Sequence, residues 1–279
     1  MPLENPRSLR AARPPAAFTL MEILVVVSII LVLAAIALQV YSTIARRSAK
    51  VVAINNMRQV TAALITYAGQ NDGDFPQENI PLGSTWTNAA GPLGEKVWYN
   101  ALPRLAGSKG GGDYANSPSK FYSKENLLFL PGAQYPSGQL LPDGTRPNKL
   151  DKPCFAFAIN TKLQRKDKVT KVKGAAKLSQ INMPSRTVAF VEEGMPGETK
   201  AMAIQPAYEG ESKTSGRSFV ERYGGQGVIT FLDGHAESWE ARKILTSTGL
   251  FILPDKNNLV WTRTWSGVVP PPPEEDPNH

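Results

Sequence analysis

Cysteine and histidine are nearly absent from this 279-residue chain: there is one Cys, Cys154, and two His, His235 and His279. A lone cysteine excludes an intrachain disulfide and any cysteine-rich zinc module. Two histidines argue against a histidine-based metal centre. No Gly-x-Ser-x-Gly elbow and no metal-spaced carboxylates accompany them, and His235 beside Asp233 reads as an exposed polar residue after a turn. The glycine-rich run at residues 107–112 lacks the Gly-x-x-x-x-Gly-Lys-Ser/Thr spacing of a phosphate loop and is expected to be a flexible loop. Positive charge is only in modest excess, 31 Lys and Arg against 24 Asp and Glu. No dense basic block marks a nucleic-acid site, and none is expected. With these groups so scarce, no enzyme activity, metal or cofactor is expected.

What the chain does have is a long apolar run. Residues 18–40 read FTLMEILVVVSIILVLAAIALQV, with one charge, Glu22. As a helix this run spans roughly 34 Å, enough for a bilayer core of about 30 Å. It is longer than the apolar core of a cleaved secretory signal, and no small-residue site leads from it into a polar mature start. Before it, residues 1–17 are polar and proline-rich, with Arg7, Arg10 and Arg13. Glu22 is the odd residue. It either snorkels to the headgroups or pairs with a positive group on a neighbouring subunit, since ionisable residues inside membrane segments are functional by default.

Ala16-Ala17 followed by Phe18-Thr19-Leu20-Met21-Glu22-Ile23-Leu24-Val25-Val26-Val27 resembles the signature of type IV pilins and type II secretion pseudopilins. The resemblance implies that a prepilin peptidase cuts between Ala17 and Phe18 and that the new amino terminus at Phe18 is methylated. It makes Glu22 the fifth mature residue, the carboxylate that sets register between packed helices. Where the family usually has Gly before the cut, this chain has Ala17. Three Lys or Arg precede the apolar run and three follow it (Arg46, Arg47 and Lys50), so charge leaves orientation open. The resemblance implies a cytoplasmic leader and an extracytoplasmic head on a single-pass inner-membrane helix.

The helix is expected to continue to about residue 70. There is no proline between residues 41 and 70, and Ala53, Met57, Val60, Leu64 and Tyr67 recur at helical spacing as a core-facing stripe. Gly69 and the run Asn71-Asp72-Gly73-Asp74 end it as a turn; the ligand spacing of a helix–loop–helix calcium site is missing. Residues 75–150 read as loop-rich. Strands are expected at residues 154–160, 187–192 and 227–232, the last continuing through Asp233-Gly234 as a hairpin to residues 235–240. The basic stretch 162–177 reads as a solvated loop or edge ribbon, and the proline-rich end as extended chain.

The run Arg222-Tyr223-Gly224-Gly225-Gln226-Gly227-Val228-Ile229-Thr230-Phe231-Leu232-Asp233-Gly234 is similar to the H-X9-DG block of large pseudopilin-like proteins. Tyr223 stands at the histidine position, while Asp233 and Gly234 match. The expected architecture is α+β, with a long N-terminal transmembrane and stem helix packed on a small antiparallel sheet head with long loops. The expected divisions are 1–17 leader, 18–40 membrane or filament-core helix, 41–70 stem, 71–268 head and 269–279 tail. The implied partners are a prepilin peptidase, other pilin or pseudopilin subunits, an inner-membrane assembly platform and, before assembly, lipid. The alternative is a singly anchored binding module for a surface polymer or glycan, using Trp86, Trp98, Tyr99, Trp239, Trp261 and Trp265.

Overall fold

The computed structural model describes residues 19–80, 83–136, 151–163, 165–166, 173–174, 177–245 and 259–261. The leader, Trp265 and the proline-rich tail therefore lie outside the described residues. The chain divides into two compact units, Met1–Ala45 and Arg46–His279. One helix, α1 (Leu20–Gln70), contributes residues to both.

In the second unit α1 supplies a fully buried row, Ala53, Met57, Val60, Leu64 and Ala68. The expected stripe holds except at its end, where Ala68 takes the buried position and Tyr67 is half-buried at the edge of the core. Spacings of four and three keep the row on one face as the helix turns by about 100° per residue. The stop is the expected turn: Gly73 N–H donates to Ala68 O at 2.8 Å, with Asp72 and Gly73 at φ of 53° and 84°.

Residues 75–150 were expected to be loop-rich; among the described part, the loops are interspersed with short helices, α2 (Trp86–Ala90), α3 (Trp98–Leu105) and α4 (Pro118–Phe121). Thr85 caps α2, its hydroxyl accepting from Asn88 N–H. Buried Asn100 ties this region together. Its amide nitrogen donates to Ala89 O and Gly94 O, both at 2.8 Å, and its oxygen accepts from Gly112 N–H at 2.6 Å. The second half of the run at 107–112 is thus packed, while Gly107 and Lys109 are exposed. Gly110, Gly111 and Gly112 are buried, and a Cβ on Gly112 would lie 2.1 Å from Ala89 O. Glycine is there for close backbone approach. Asn100→Ala strands three buried backbone groups and is expected to lower the stability of this unit by about 2–4 kcal/mol, read as a shift of the urea midpoint.

The sheet has five strands in the order β5-β1-β4-β6-β7. Its members are β1 (Phe157–Asn160), β4 (Val188–Glu192), β5 (Lys213–Thr214), β6 (Gly227–Phe231) and β7 (Ala236–Trp239). The pairs β1–β4, β4–β6 and β6–β7 are antiparallel, as expected. The two-residue edge β5 runs parallel to β1, so the sheet is mixed and not purely antiparallel. Within the basic stretch, β2 (Arg165–Lys166) and β3 (Lys173–Gly174) form a separate two-stranded ribbon.

Both faces of the sheet are covered. Phe157, Ile159, Phe190 and Val228 pack with the buried row of α1, while Val188, Val191, Ile229 and Phe231 pack with α5 (Ala241–Ile244), Leu259 and Trp261. Two-sided burial explains why β1, β4 and β6 are buried at every position instead of alternating. Thr230 of β6 faces α1 and its hydroxyl accepts from that of Thr61 at 2.8 Å, so neither buried hydroxyl is left unmet.

Candidate functional site

The first candidate site is the start of α1. Thr19 is its N-cap and Glu22 the third helical residue, the spacing of a reciprocal capping box. Thr19 N–H and Oγ1–H both donate to Glu22 Oε2 at 2.8 Å, and Glu22 N–H donates back to Thr19 Oγ1 at 3.2 Å. The Thr-x-x-Glu signature was legible in the sequence but overshadowed by the membrane reading of Glu22. Between residues 20 and 38 the only other polar side chain is Ser28, whose hydroxyl donates to Leu24 O at 2.8 Å. The Thr19 and Ser28 hydroxyls and Glu22 Oε2 are met inside the helix, as an apolar surrounding demands. The apolar side chains themselves are uncovered, from Leu20 at 85% exposed to Leu38 at 71%. The helix is long and apolar enough to cross a membrane.

The description of a matching family model, the prokaryotic N-terminal methylation motif, fits this segment at residues 13–38. The N-terminus is of the prepilin type. The prepilin-type segment carries Thr19 and Glu22, and the long apolar helix followed by a mixed sheet is the α+β arrangement of a pilin-like chain. The match ends at residue 38 and leaves the head untouched. Among curated proteins and among solved structures nothing matches the chain. Ala17 and Phe18, which flank the expected cut, lie outside the described residues.

The block around Tyr223, Asp233 and Gly234 is not one site. Tyr223 precedes β6 and Asp233-Gly234 follows it, and five extended residues separate them by roughly 16 Å. Asp233 is exposed in the β6–β7 turn, where Gly234 has a φ of 93°. Its Oδ1 accepts from His235 N–H at 3.1 Å and meets His235 Nδ1 at 2.5 Å, while the imidazole stacks on Phe231. Tyr223 is buried and donates to Pro131 O at 2.9 Å, clamping a distant loop.

Tyr223 instead borders a cluster that sequence reasoning missed. Arg222 is buried with three neighbouring acids, Glu192, Glu193 and Glu198. Its guanidinium bonds Glu198 through Nε at 2.9 Å and Nη2 at 2.6 Å. Nη1 donates to Ala156 O at 2.9 Å and reaches Glu192 Oε1 at 3.4 Å, and Nη2 donates to Glu193 O at 2.6 Å. Glu192 Oε2 also accepts from Val228 N–H at 3.0 Å. One guanidinium thus pins the ends of β1 and β4 to the segment carrying Glu198.

Burial pushes the Glu192 carboxyl up to about 7, against the pull of Arg222 and the Val228 N–H. Burial likewise pushes Glu193 up to about 8; the hydroxyls of Thr214 and Ser218 work against it and the negative charge of Glu211 works with it. For Arg222 burial acts downward, but Glu192 and Glu198 outweigh it and hold the proton more firmly than usual. The available signal was the pair Glu192-Glu193 closing an apolar strand, where alternation alone would expose one of them. Both are buried.

Of the aromatics proposed for a binding surface, Trp86, Trp98, Tyr99 and Trp261 are buried and Trp239 is half-buried. Trp98 packs on Phe155, Phe157 and Phe190 with ring centroids 5.1–5.6 Å apart, and its Nε1–H donates to Ser212 O at 2.7 Å. These rings are core. Among the described residues no group of three His, Cys, Asp or Glu is placed to hold a metal ion.

Proposed function

We propose that this chain is a structural subunit, a pseudopilin or minor pilin, that a prepilin peptidase cuts between Ala17 and Phe18 and that assembles through its N-terminal helix. The observation that carries this reading is the uncovered apolar face of α1, opened by a capped first turn that presents the Glu22 carboxylate. Such a helix is stable in lipid and has an unused side-chain surface for neighbouring helices. A carboxylate has about four lone-pair sites, so the two Thr19 donors leave capacity for another. The methylated amine of Phe18 on an adjacent subunit fills it. Correct register pairs both charges, and a slipped register strands one in apolar surroundings. The leader lies in the cytoplasm, the head outside, and the partners are the peptidase, other subunits and an inner-membrane assembly platform. A binding module for a surface polymer has less support, because the aromatic side chains it needs are mostly in the core.

Intact-mass measurement and N-terminal sequencing after co-expression with a prepilin peptidase test the cut. A mature chain beginning at Phe18 with one added methyl is expected. An uncut chain would make α1 a permanent anchor and defeat the proposal, unless Ala17→Gly restores cleavage. Glu22→Ala is expected to leave membrane insertion unchanged and to abolish recovery of the protein in sheared filaments.

A further inference from the structure

Past its apolar run α1 carries four bases, Arg46, Arg47, Lys50 and Arg58, and the first acid after Glu22 is Asp72. No base on this helix therefore has an acid three or four positions away to pair with. Half-buried Lys50 has a partner of another kind, its Nζ donating to Gln226 Oε1 at 2.8 Å. Arg46 and Arg47 are exposed, and neither forms an ion pair among the described residues. They stand six and seven residues after Val40, the end of the apolar run. Along a helix that is roughly 9 and 10 Å, and the headgroup layer on one side of a bilayer is about 5–8 Å deep. Helical side chains lean toward the N-terminus, so both arginine stems slope back toward that layer. Tyr41, 73% exposed at the first position after the run, is of the type that settles at a membrane interface.

We propose that Arg46 and Arg47 bind the headgroups of anionic phospholipid, of the phosphatidylglycerol kind, in the leaflet at the C-terminal end of the apolar run. This rests on the reading of α1 as membrane-spanning, and on neither the cut nor filament assembly. A guanidinium presents a fork of N–H donors that matches a phosphate. A zwitterionic headgroup brings its own positive charge, whereas phosphatidylglycerol does not. The two arginines, which find no counter-charge on their own helix, find it in that lipid. The contact holds Val40 at the edge of the hydrocarbon and ties the precursor to lipid at the end of the run opposite Glu22.

Spin-label resonance on the full chain in phosphatidylcholine vesicles tests this, with spin-labelled phosphatidylglycerol or phosphatidylcholine as tracer. The immobilised fraction of each tracer gives its relative affinity for the protein. A preference for phosphatidylglycerol is expected, at most about fivefold for each arginine, and it is expected to shrink in high salt. The double variant Arg46→Gln/Arg47→Gln keeps the apolar run and is expected to bind the two tracers equally. Arg58→Gln, changed at an exposed position roughly 16 Å further along the helix, is expected to keep the parent preference. Retention in the vesicles after alkaline carbonate is measured on the same samples. An inserted parent chain without preference, a double variant that retains it, or an equal loss in Arg58→Gln would overturn the proposal and leave the membrane-spanning reading standing. A parent chain extracted by carbonate would remove that reading, and the proposal with it.

Discussion

Arg222→Met is expected to remove roughly 3–5 kcal/mol of stability from the head, a large part of the 5–15 kcal/mol that holds a typical domain. Methionine fills much of the space of the arginine stem but brings no donor. Glu198, 5% exposed at its side chain, loses both guanidinium bonds, and Glu192, fully buried, loses its counter-charge. Ala156 O and Glu193 O lose their donors as well. Removing one member of a buried ionic group costs far more than the group contributes net, because the remaining charges stay desolvated. Arg222→Lys keeps the charge without the fork and is expected to fall between the two. Urea unfolding of the full chain in detergent, followed by tryptophan fluorescence, measures both. A midpoint for Arg222→Met within about 1 kcal/mol of the parent would show that the cluster does not hold the loops together.

Thermal stability is expected to fall as pH rises from about 5 to about 8. Glu192 and Glu193 have folded-state values raised by burial to about 7 and about 8, from an ordinary 4.5. A raised carboxyl binds its proton more tightly in the folded state than in the unfolded one. Its stabilising contribution is complete below the unfolded value and is lost as pH climbs through the folded value. For Glu193 alone the shift corresponds to a loss on the order of 3–5 kcal/mol. Asp113, Asp233 and Glu240 are shifted downward and act in the opposite sense, but Asp113 and Asp233 are exposed and Glu240 lies at the surface, so their effect is small. Melting temperatures across this range are expected to drop for the parent chain and to drop less for Glu193→Gln, which cannot ionise. A parent profile that is flat or rises with pH would contradict buried, proton-holding carboxyls at these positions.

The features read correctly from the sequence are local ones. The apolar run, its single Glu22, the helix continuing to Gln70 and the β6–β7 hairpin each depend on residues close together in the chain. Helical and strand periods, and turn chemistry such as Asp233-Gly234, are short-range properties. The strands were legible as elements, but not that β5 would add a parallel edge, since pairing between distant segments leaves no mark in either segment.

What only the tertiary structure decided is where distant residues meet. Gly112 looks like loop flexibility until Ala89 O is found against it, 23 positions away. Arg222, Glu192 and Glu198 are ordinary surface types in composition, and become a buried cluster only when β1, β4 and the segment before β6 converge. Tyr223 and Asp233-Gly234 read as one motif yet sit at opposite ends of β6. The sequence by itself determined the N-terminal segment, because a helix satisfies its own backbone and needs no long-range partner to form. The head's charge chemistry was decided by folding alone, because burial and the company of other charges set a carboxyl's proton affinity, and both come from contacts remote in sequence.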